Sequence, residues 1–381
     1  MSPSIMPILL VAVLQQGQPG QPIRVLEVPK DYRTIQAAID SARPNDTVLV
    51  APGRYVENLR IARRGVVLAS HFARTGNPQD IERTIIDGGT PRHPDTASVI
   101  IIHAVERGTA IVQGFTITGG AGTVWLDAKD TEHFREGGGI LCELSAPVIK
   151  NNYIVGNKAV DVPKGSLSAG GGGIRCGYAE PTIVNNVIRD NEGRYGGGIV
   201  LFHSAATVRN NLIVGNRGGE DFGGAGLWVV GHLSRRLANV IEHNTIVRNV
   251  ATGVDTGSAP SLRGRGGAMW TVGTNVELRY NIVWGNEQIA GGAIGHPPGQ
   301  APRMTYNIIQ GGAPGEGNLD VDPRFADTVR FELAPNSPAL GAGVPTAADS
   351  LPDADGTRRP APRGKIDLGA YGGPSGKRLL R

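Results

Sequence analysis

Short runs of apolar residues repeat along the middle of the chain, and each follows a cluster of glycines. The glycine-rich starts lie at residues 137–140, 171–174, 196–199, 224–227, 266–269 and 291–294. Twelve to seventeen residues after each start comes an Asn with a short run rich in Ile and Val. Short β-branched runs bounded by turn residues are typical of strands rather than helices.

The Asn recurs at one place in every repeat. Its positions are Asn152, Asn186, Asn211, Asn244, Asn281 and Asn307. The steps are 34, 25, 33, 37 and 26 residues, so the basic period is close to the shortest step and the longer steps contain insertions. A second Asn follows five residues later in five repeats, at Asn157, Asn191, Asn216, Asn249 and Asn286.

This period predicts a coil of short strands that stacks on identical coils about 4.8 Å apart. A single short strand cannot bury its apolar face alone, so neighbouring coils must share one core. Backbone amides at the bends face inward and need partners. An inward Asn repeated in successive coils bonds to the coils above and below, so we predict two Asn ladders.

A different pattern precedes the repeats. Ile35, Ala38, Ile39 and Ala42 fall on one helical face, and Pro44 ends that helix. Open ends of repeat proteins need a cover. We therefore predict a short N-terminal capping helix over the first coil.

Three stretches of the sequence resemble a known family. They are DYRTIQAAIDSARPNDTVLVAPGRYVEN, the glycine-and-Asn coils, and the ending from DVDPRF to GKIDLGAYGG. They resemble bacterial right-handed parallel β-helix repeat proteins of the pectin-lyase-like superfamily, over nearly the whole chain after Ile23. The resemblance implies an all-β fold, a single-stranded right-handed parallel β-helix (solenoid) with an N-terminal capping helix.

The same resemblance does not specify a reaction, because the superfamily includes lyases, glycosidases, epimerases and non-catalytic surface proteins. The polygalacturonase-like pattern of NTD, DD and GHG is absent. The pectate-lyase-like vWiDH is only echoed in TVWLDAKD, where Ala128 stands in place of the His. No catalytic residue is therefore carried over from those families.

Three parts of the chain are expected. Residues 1–22 form a signal peptide and linker, residues 23–318 the β-helix with its N-terminal cap, and residues 319–381 a C-terminal capping extension. The apolar run at residues 5–14 is too short for a bilayer, which needs about 20 residues, but it matches the central part of a secretory signal. Its alternative is a frayed terminus or a misassigned start. We therefore expect a secreted or cell-envelope protein with no transmembrane segment.

Composition narrows the classes of partner. Gly accounts for 56 of 381 residues and aromatics for only 5%, so the core must be mainly aliphatic. The formal net charge of +4 is too small to indicate nucleic acid binding.

Cys142 and Cys176 fall in neighbouring coils, where they are either two small buried side chains or a disulfide.

Alternation along the strand after each glycine cluster separates inward from outward side chains. The first outward row is Leu141, Arg175, Val200, Trp228, Trp270 and Gly295, and the second is Glu143, Gly177, Phe202, Val230 and Val272. Trp228 and Trp270, with Phe202 and His203, predict an exposed platform for sugar rings. The alternative is that the long insertions fold over the indoles and bury them.

Cleavage of a polysaccharide would need further groups beside that platform. β-Elimination needs a carboxylate neutraliser and a base, for which Arg175 and His133 are the candidates. Hydrolysis needs two carboxylates, for which Glu143 and Asp127 are the candidates. No metal site is predicted and no cofactor is required. Calcium is unsupported, because the DADG motif at residues 353–356 lacks the remaining ligands of a calcium loop.

Two hypotheses follow. The first is an exported polysaccharide-binding β-helix protein, with lyase or glycosidase activity as its enzymatic form. The second is a non-catalytic structural or surface-attachment β-helix protein. In both, the expected partner of a monomeric chain is a polysaccharide or glycan surface.

Overall fold

Short strands account for most of the regular structure. The computed structural model describes residues 22–126, 132–253, 263–344 and 365–371, apart from the side chains of Arg63 and Arg107. Three long sheets, which we name A, B and C, each gain one strand per coil. Sheet A contains ten strands, Val25–Val28, Thr47–Val50, Val67–Ser70, Ile111–Gln113, Val148–Lys150, Thr182–Val184, Thr207–Arg209, Asn239–Glu242, Val276–Arg279 and Arg303–Thr305.

The other sheets complete each coil. Sheet B contains Gly53–Val56, Thr84–Asp87, Thr116–Thr118, Tyr153–Val155, Val187–Arg189, Leu212–Val214, Thr245–Val247, Ile282–Trp284 and Ile308–Ile309. Sheet C contains Leu59–Arg64, Ile100–Arg107, Ile140–Glu143, Ile174–Gly177, Ile199–Ser204, Leu227–Gly231, Met269–Val272 and Ile294–Gly295. The chain passes from sheet C to A to B and returns to C in the next coil, always with parallel pairing. This is the predicted right-handed parallel β-helix.

Two smaller sheets of four strands each accompany the three long sheets. The cover sheet contains Thr96–Ala97, Gly122–Leu126, His133–Glu136 and Ser166–Gly170. The corner sheet contains Lys158–Ala159, Glu192–Gly193, Arg217–Gly218 and Val250–Ala251. The cover sheet is formed by the insertions that lengthen the early repeats.

One continuous core fills the cylinder from Leu26 to Ile309. It consists mainly of Ile, Val, Leu and Ala, as the low aromatic content predicts. Cys142 and Cys176 are paired in register on adjacent strands, and both are fully buried free thiols. Of the two alternatives for the cysteines, a pair of small buried side chains describes this structure, and the disulfide does not.

Both predicted Asn ladders are present. Asn186 Nδ2 donates to Asn211 Oδ1 at 3.0 Å, and the backbone N–H of Asn186 donates to the same oxygen at 2.9 Å. The same pair of bonds repeats from Asn152 to Asn307, and Asn318 adds a further rung. The second ladder runs from Asn157 to Asn286. Each inner amide thus partners backbone groups that would otherwise be buried without a bond.

Left-handed backbone conformations produce the bends. The residue before each Asn of the first ladder has a positive φ, between 53° and 59°: Asn151, Asn185, Asn210, His243, Tyr280 and Tyr306. At the bend from sheet C to sheet A, Leu144, Tyr178 and His203 have φ values of 49°, 45° and 48°. The stacking of these residues aligns their side chains along the cylinder.

The predicted helix is present at Ile35–Ser41. Thr34 caps it by accepting a bond from the Ala37 N–H, and Ile35, Ala38 and Ile39 are buried in the main core. That this helix closes the cylinder stays a prediction. Two further short helices follow: Phe72–Thr75 lies beside the sheet A strand Val67–Ser70, and Pro78–Arg83 lies beside the sheet B strands Thr84–Asp87 and Thr116–Thr118. No helix among the described residues is long and apolar enough to cross a membrane.

The described part of the C-terminal extension packs along the side of the cylinder. Leu333, Ile366 and Leu368 share a buried cluster with Ile282 and Ile308 of sheet B. The extension thereby covers apolar side chains that point outward from sheet B. The expected leader at residues 1–22 lies outside the described residues except for its last position.

Candidate functional site

The outer face of sheet C carries the residues that the sequence singles out. Adjacent coils place Arg175 beside Leu141 and Val200, and Trp228 beside Trp270, in register. Their strand neighbours, such as Cys176 and Leu201, lie in the central core. The predicted alternation of inward and outward side chains is therefore confirmed.

The predicted exposure of the first half of this face is wrong. Leu141, Arg175 and Val200 are 0% exposed, and Glu143 is 1% exposed. The cover sheet packs against this face, because Glu136 of the cover sheet contacts Arg175, and Trp125 of the cover sheet meets His103 of sheet C edge-on at 5.2 Å. The insertions thus form a second layer outside the cylinder.

A buried ion cluster lies between sheet C and the cover sheet. Arg175 Nε lies 2.6 Å from a Glu136 carboxylate oxygen, and Arg175 Nη1 contacts Glu143. Tyr195 donates its hydroxyl to the other Glu136 oxygen at 2.5 Å. Gly177 is required beside the cluster, since a Cβ there would overlap the Arg175 guanidinium and the Glu143 carboxylate.

Burial governs the ionisation of this cluster. It lowers the pKa of Arg175 to about 10, so the guanidinium still carries its charge at neutral pH. It raises the pKa of the Tyr195 phenol well above the usual value, and the Glu136 charge adds to that effect. Tyr195 therefore stays protonated and serves as a hydrogen-bond donor to Glu136.

This geometry corrects the predicted catalytic set. Arg175 and Glu143 do lie together, but they are sealed from solvent, so a polymer cannot contact them. His133 is exposed on the cover sheet, and Glu136 of the same strand makes the contact with Arg175 instead. Asp127 lies outside the described residues. The Arg175–Glu136 contact joins sheet C to the cover sheet, and Glu143 of sheet C contacts the same guanidinium; paired buried charges of this kind are costly to separate.

An aromatic strip reaches solvent next to the ion cluster. We use this name for Tyr178, Phe202, His203 and Trp228, all of which are half-buried. The Phe202 and Trp228 rings are stacked, with centroids 6.2 Å apart and 15° between their planes. Tyr178 meets the Phe202 ring edge-on at 5.6 Å, and Phe202 lies 4.4 Å from His203.

The strip follows from the local backbone. Phe202 and Trp228 occupy outward positions on successive strands, whereas Tyr178 and His203 occupy the left-handed position at the bend. The buried ring of Tyr195 also packs edge-on against Trp228, with centroids 5.2 Å apart. Three of the four members were predicted. Tyr178 was missed, although its register with His203 was available from the repeat.

Of the two interpretations of the indoles, an exposed platform or burial, Trp270 follows the second and forms no exposed platform with Trp228. Only 4% of Trp270 is exposed, and its ring lies over Gly295, where a Cβ would overlap it. It lines a cavity of about 200 Å³ together with Arg265 and His296. The Trp270 indole N–H is buried and makes no hydrogen bond within the described structure.

Comparison with known proteins identifies the family. The model described as "Right handed beta helix region" matches residues 100–246 and 170–296, which together make up more than half of the chain. No curated protein matches the sequence.

Solved structures that align with this chain have low sequence identity to it. The pectin methylesterase from Aspergillus niger is 13% identical, with 80% of this chain and 88% of that chain covered and a TM-score of 0.43. The pectate lyase Pel9A is 13% identical, with 92% and 96% covered and a TM-score of 0.45. The family assignment rests on the family model and on the observed coils. This chain belongs to the right-handed beta helix region family.

Proposed function

We propose that this protein binds a polysaccharide chain on the aromatic strip and acts as a non-catalytic binding β-helix outside the cell or in its envelope. One observation carries the proposal. Four aromatic or imidazole side chains from successive coils remain half-exposed on a face where the nearby charged residues are sealed. Sugar rings present apolar C–H faces that pack on aromatic rings, while their hydroxyls need nearby polar groups.

The rigidity of the strip supports this proposal. His203 Nδ1 lies 3.2 Å from the Gly231 carbonyl oxygen, and the ring contacts hold Phe202 and Trp228 in place. A preformed surface loses little conformational entropy when a flexible chain binds. The cavity beside Trp270 adds a recess with a guanidinium and an imidazole on its wall, where a sugar unit of the bound chain is expected to sit.

A binding assay with matched variants tests the proposal. A glycan array identifies the polymer, and titration with its oligosaccharides then compares wild type with Phe202→Ala and Trp228→Ala. We expect each variant to bind about tenfold more weakly or worse, as for other buried aromatic anchors. Trp284→Ala is the control, because Trp284 is also half-buried but belongs to sheet B. Unchanged affinity in both strip variants would exclude this surface.

Lyase or glycosidase activity is the alternative to this proposal, and the same preparation tests it. Prolonged incubation with the bound polymer should yield neither new reducing ends nor unsaturated products. Product formation by wild type would contradict the non-catalytic assignment. If Arg175→Leu then lost that activity while remaining folded, Arg175 would have the catalytic role that the sequence predicts for it.

A further inference from the structure

One coil carries an insertion at the bend from sheet C to sheet A. In the preceding coil, the strand Ile199–Ser204 is followed almost directly by Thr207–Arg209. In the next coil, residues 232–238, with the sequence HLSRRLA, separate Leu227–Gly231 from Asn239–Glu242. We name this insertion the 232–238 loop. Because the neighbouring coil has only a short bend here, the loop protrudes from the cylinder.

The loop is held in a defined shape. Asn275 of the following coil donates its side-chain amide to the carbonyls of His232 at 2.9 Å and Leu237 at 2.8 Å. The Leu237 N–H also donates to the Ser234 carbonyl at 3.1 Å, which closes a tight turn. A Cβ at Gly231 would overlap the Asn275 side chain, so glycine at this position permits the anchor.

This anchored loop presents two leucines and two arginines to solvent. Leu233 is 55% exposed and Leu237 is 39% exposed. Arg235 and Arg236 are exposed at the centre of the turn, and neither guanidinium makes an ion pair or hydrogen bond within the described parts of the chain. A single exposed leucine needs no explanation. Two leucines flanking two unpaired cations on a fixed protrusion combine apolar and cationic contacts in one small surface.

We propose that the 232–238 loop binds the protein to a lipid surface with anionic phosphate headgroups. Guanidinium groups match phosphate oxygens in charge and geometry, and basic residues gain affinity for an anionic leaflet. Leucine side chains gain by leaving water for the headgroup–acyl boundary. The loop carries no acidic residue that would oppose this contact. The proposal is independent of polysaccharide binding on the aromatic strip.

Sedimentation with vesicles tests the proposal on the full chain. Vesicles of equal parts phosphatidylcholine and phosphatidylglycerol are compared with pure phosphatidylcholine. We expect wild type to sediment only with the anionic vesicles. The double variant R235Q/R236Q should bind about thirtyfold more weakly, given the usual gain per basic residue. The double variant L233S/L237S should bind about tenfold more weakly.

Matched controls distinguish binding through the 232–238 loop from nonspecific adsorption to vesicles. Leu167→Ser changes a leucine of equal 55% exposure on the cover sheet, and Arg217→Gln changes an exposed arginine on the corner sheet. Both should bind anionic vesicles like wild type, and so should Trp228→Ala. The proposal is overturned if wild type fails to sediment. It is also overturned if inorganic phosphate displaces the vesicles and the leucine variant binds normally, because the loop would then be a simple phosphate site.

Discussion

Replacing Asn211 by Ala removes one rung from the middle of the first Asn ladder. The Asn211 side-chain oxygen accepts the backbone N–H of Asn186 at 2.9 Å and its side-chain amide at 3.0 Å. The Asn211 amide donates to the Ile183 carbonyl at 2.9 Å and to Asn244 Oδ1 at 3.0 Å. All of these groups lie in the interior, where water cannot replace the lost partner.

The expected cost follows from these bonds. The Asn186 N–H becomes a buried donor without an acceptor, which costs about 1–3 kcal/mol. The lost bonds to Ile183 and to Asn244 add about 1 kcal/mol each. We therefore expect Asn211→Ala to lower the free energy of unfolding by about 3–5 kcal/mol. That is a large fraction of the stability of an ordinary domain.

Urea denaturation followed by far-UV circular dichroism measures this loss. Asn336→Ala is the matched control, because Asn336 is exposed and its side chain takes no part in a ladder. The control should change the free energy of unfolding by less than about 0.5 kcal/mol. If Asn211→Ala were as stable as Asn336→Ala, the buried amide rungs would not stabilise the coils and the reasoning would be refuted.

Further predictions concern the buried ion cluster. Arg175→Leu leaves two buried carboxylates without their cation and should lower the free energy of unfolding by about 3–5 kcal/mol. Arg217→Leu on the exposed corner sheet should cost less than about 0.5 kcal/mol, and equal stability of the two variants would contradict the assigned role of Arg175. The pKa of Tyr195 is raised by burial, so the folded state keeps a phenol proton that the unfolded chain releases at about pH 10. Its stabilising effect is complete below that pH and is lost as the pH rises further. Tyr195→Phe should therefore lose less stability than wild type between neutral and strongly alkaline pH, and identical pH slopes would show that Tyr195 does not contribute.

The coils could be predicted because each repeat solves the same local problem. Every bend buries backbone amides that need a partner, so Asn recurs at the bend and reveals the period. Ile and Val on the strands show which side faces the core, and alternation then gives the direction of Arg175 and Trp228 correctly. These requirements act within one coil and its immediate neighbours, so they appear directly in the sequence.

The covering of the outer face could not be predicted in the same way. The cover sheet comes from insertions that do not repeat, and its strand pairing joins Gly122–Leu126 to His133–Glu136 without a periodic signal. Arg175 therefore appeared to be a surface group, whereas Glu136 and Tyr195 enclose it. A charged residue in an outward row is compatible both with exposure to solvent and with burial under an insertion. Only the tertiary position of an insertion decides between them.

A crystal structure of the protein with an oligosaccharide of the polymer that it binds tests the central claim most directly. We predict density for sugar rings packed on Phe202 and Trp228, with the buried ion cluster of Arg175, Glu136 and Glu143 undisturbed beneath the cover sheet. Sugar bound on another face of the cylinder, or a displaced cover sheet with sugar in contact with Arg175, would contradict the account.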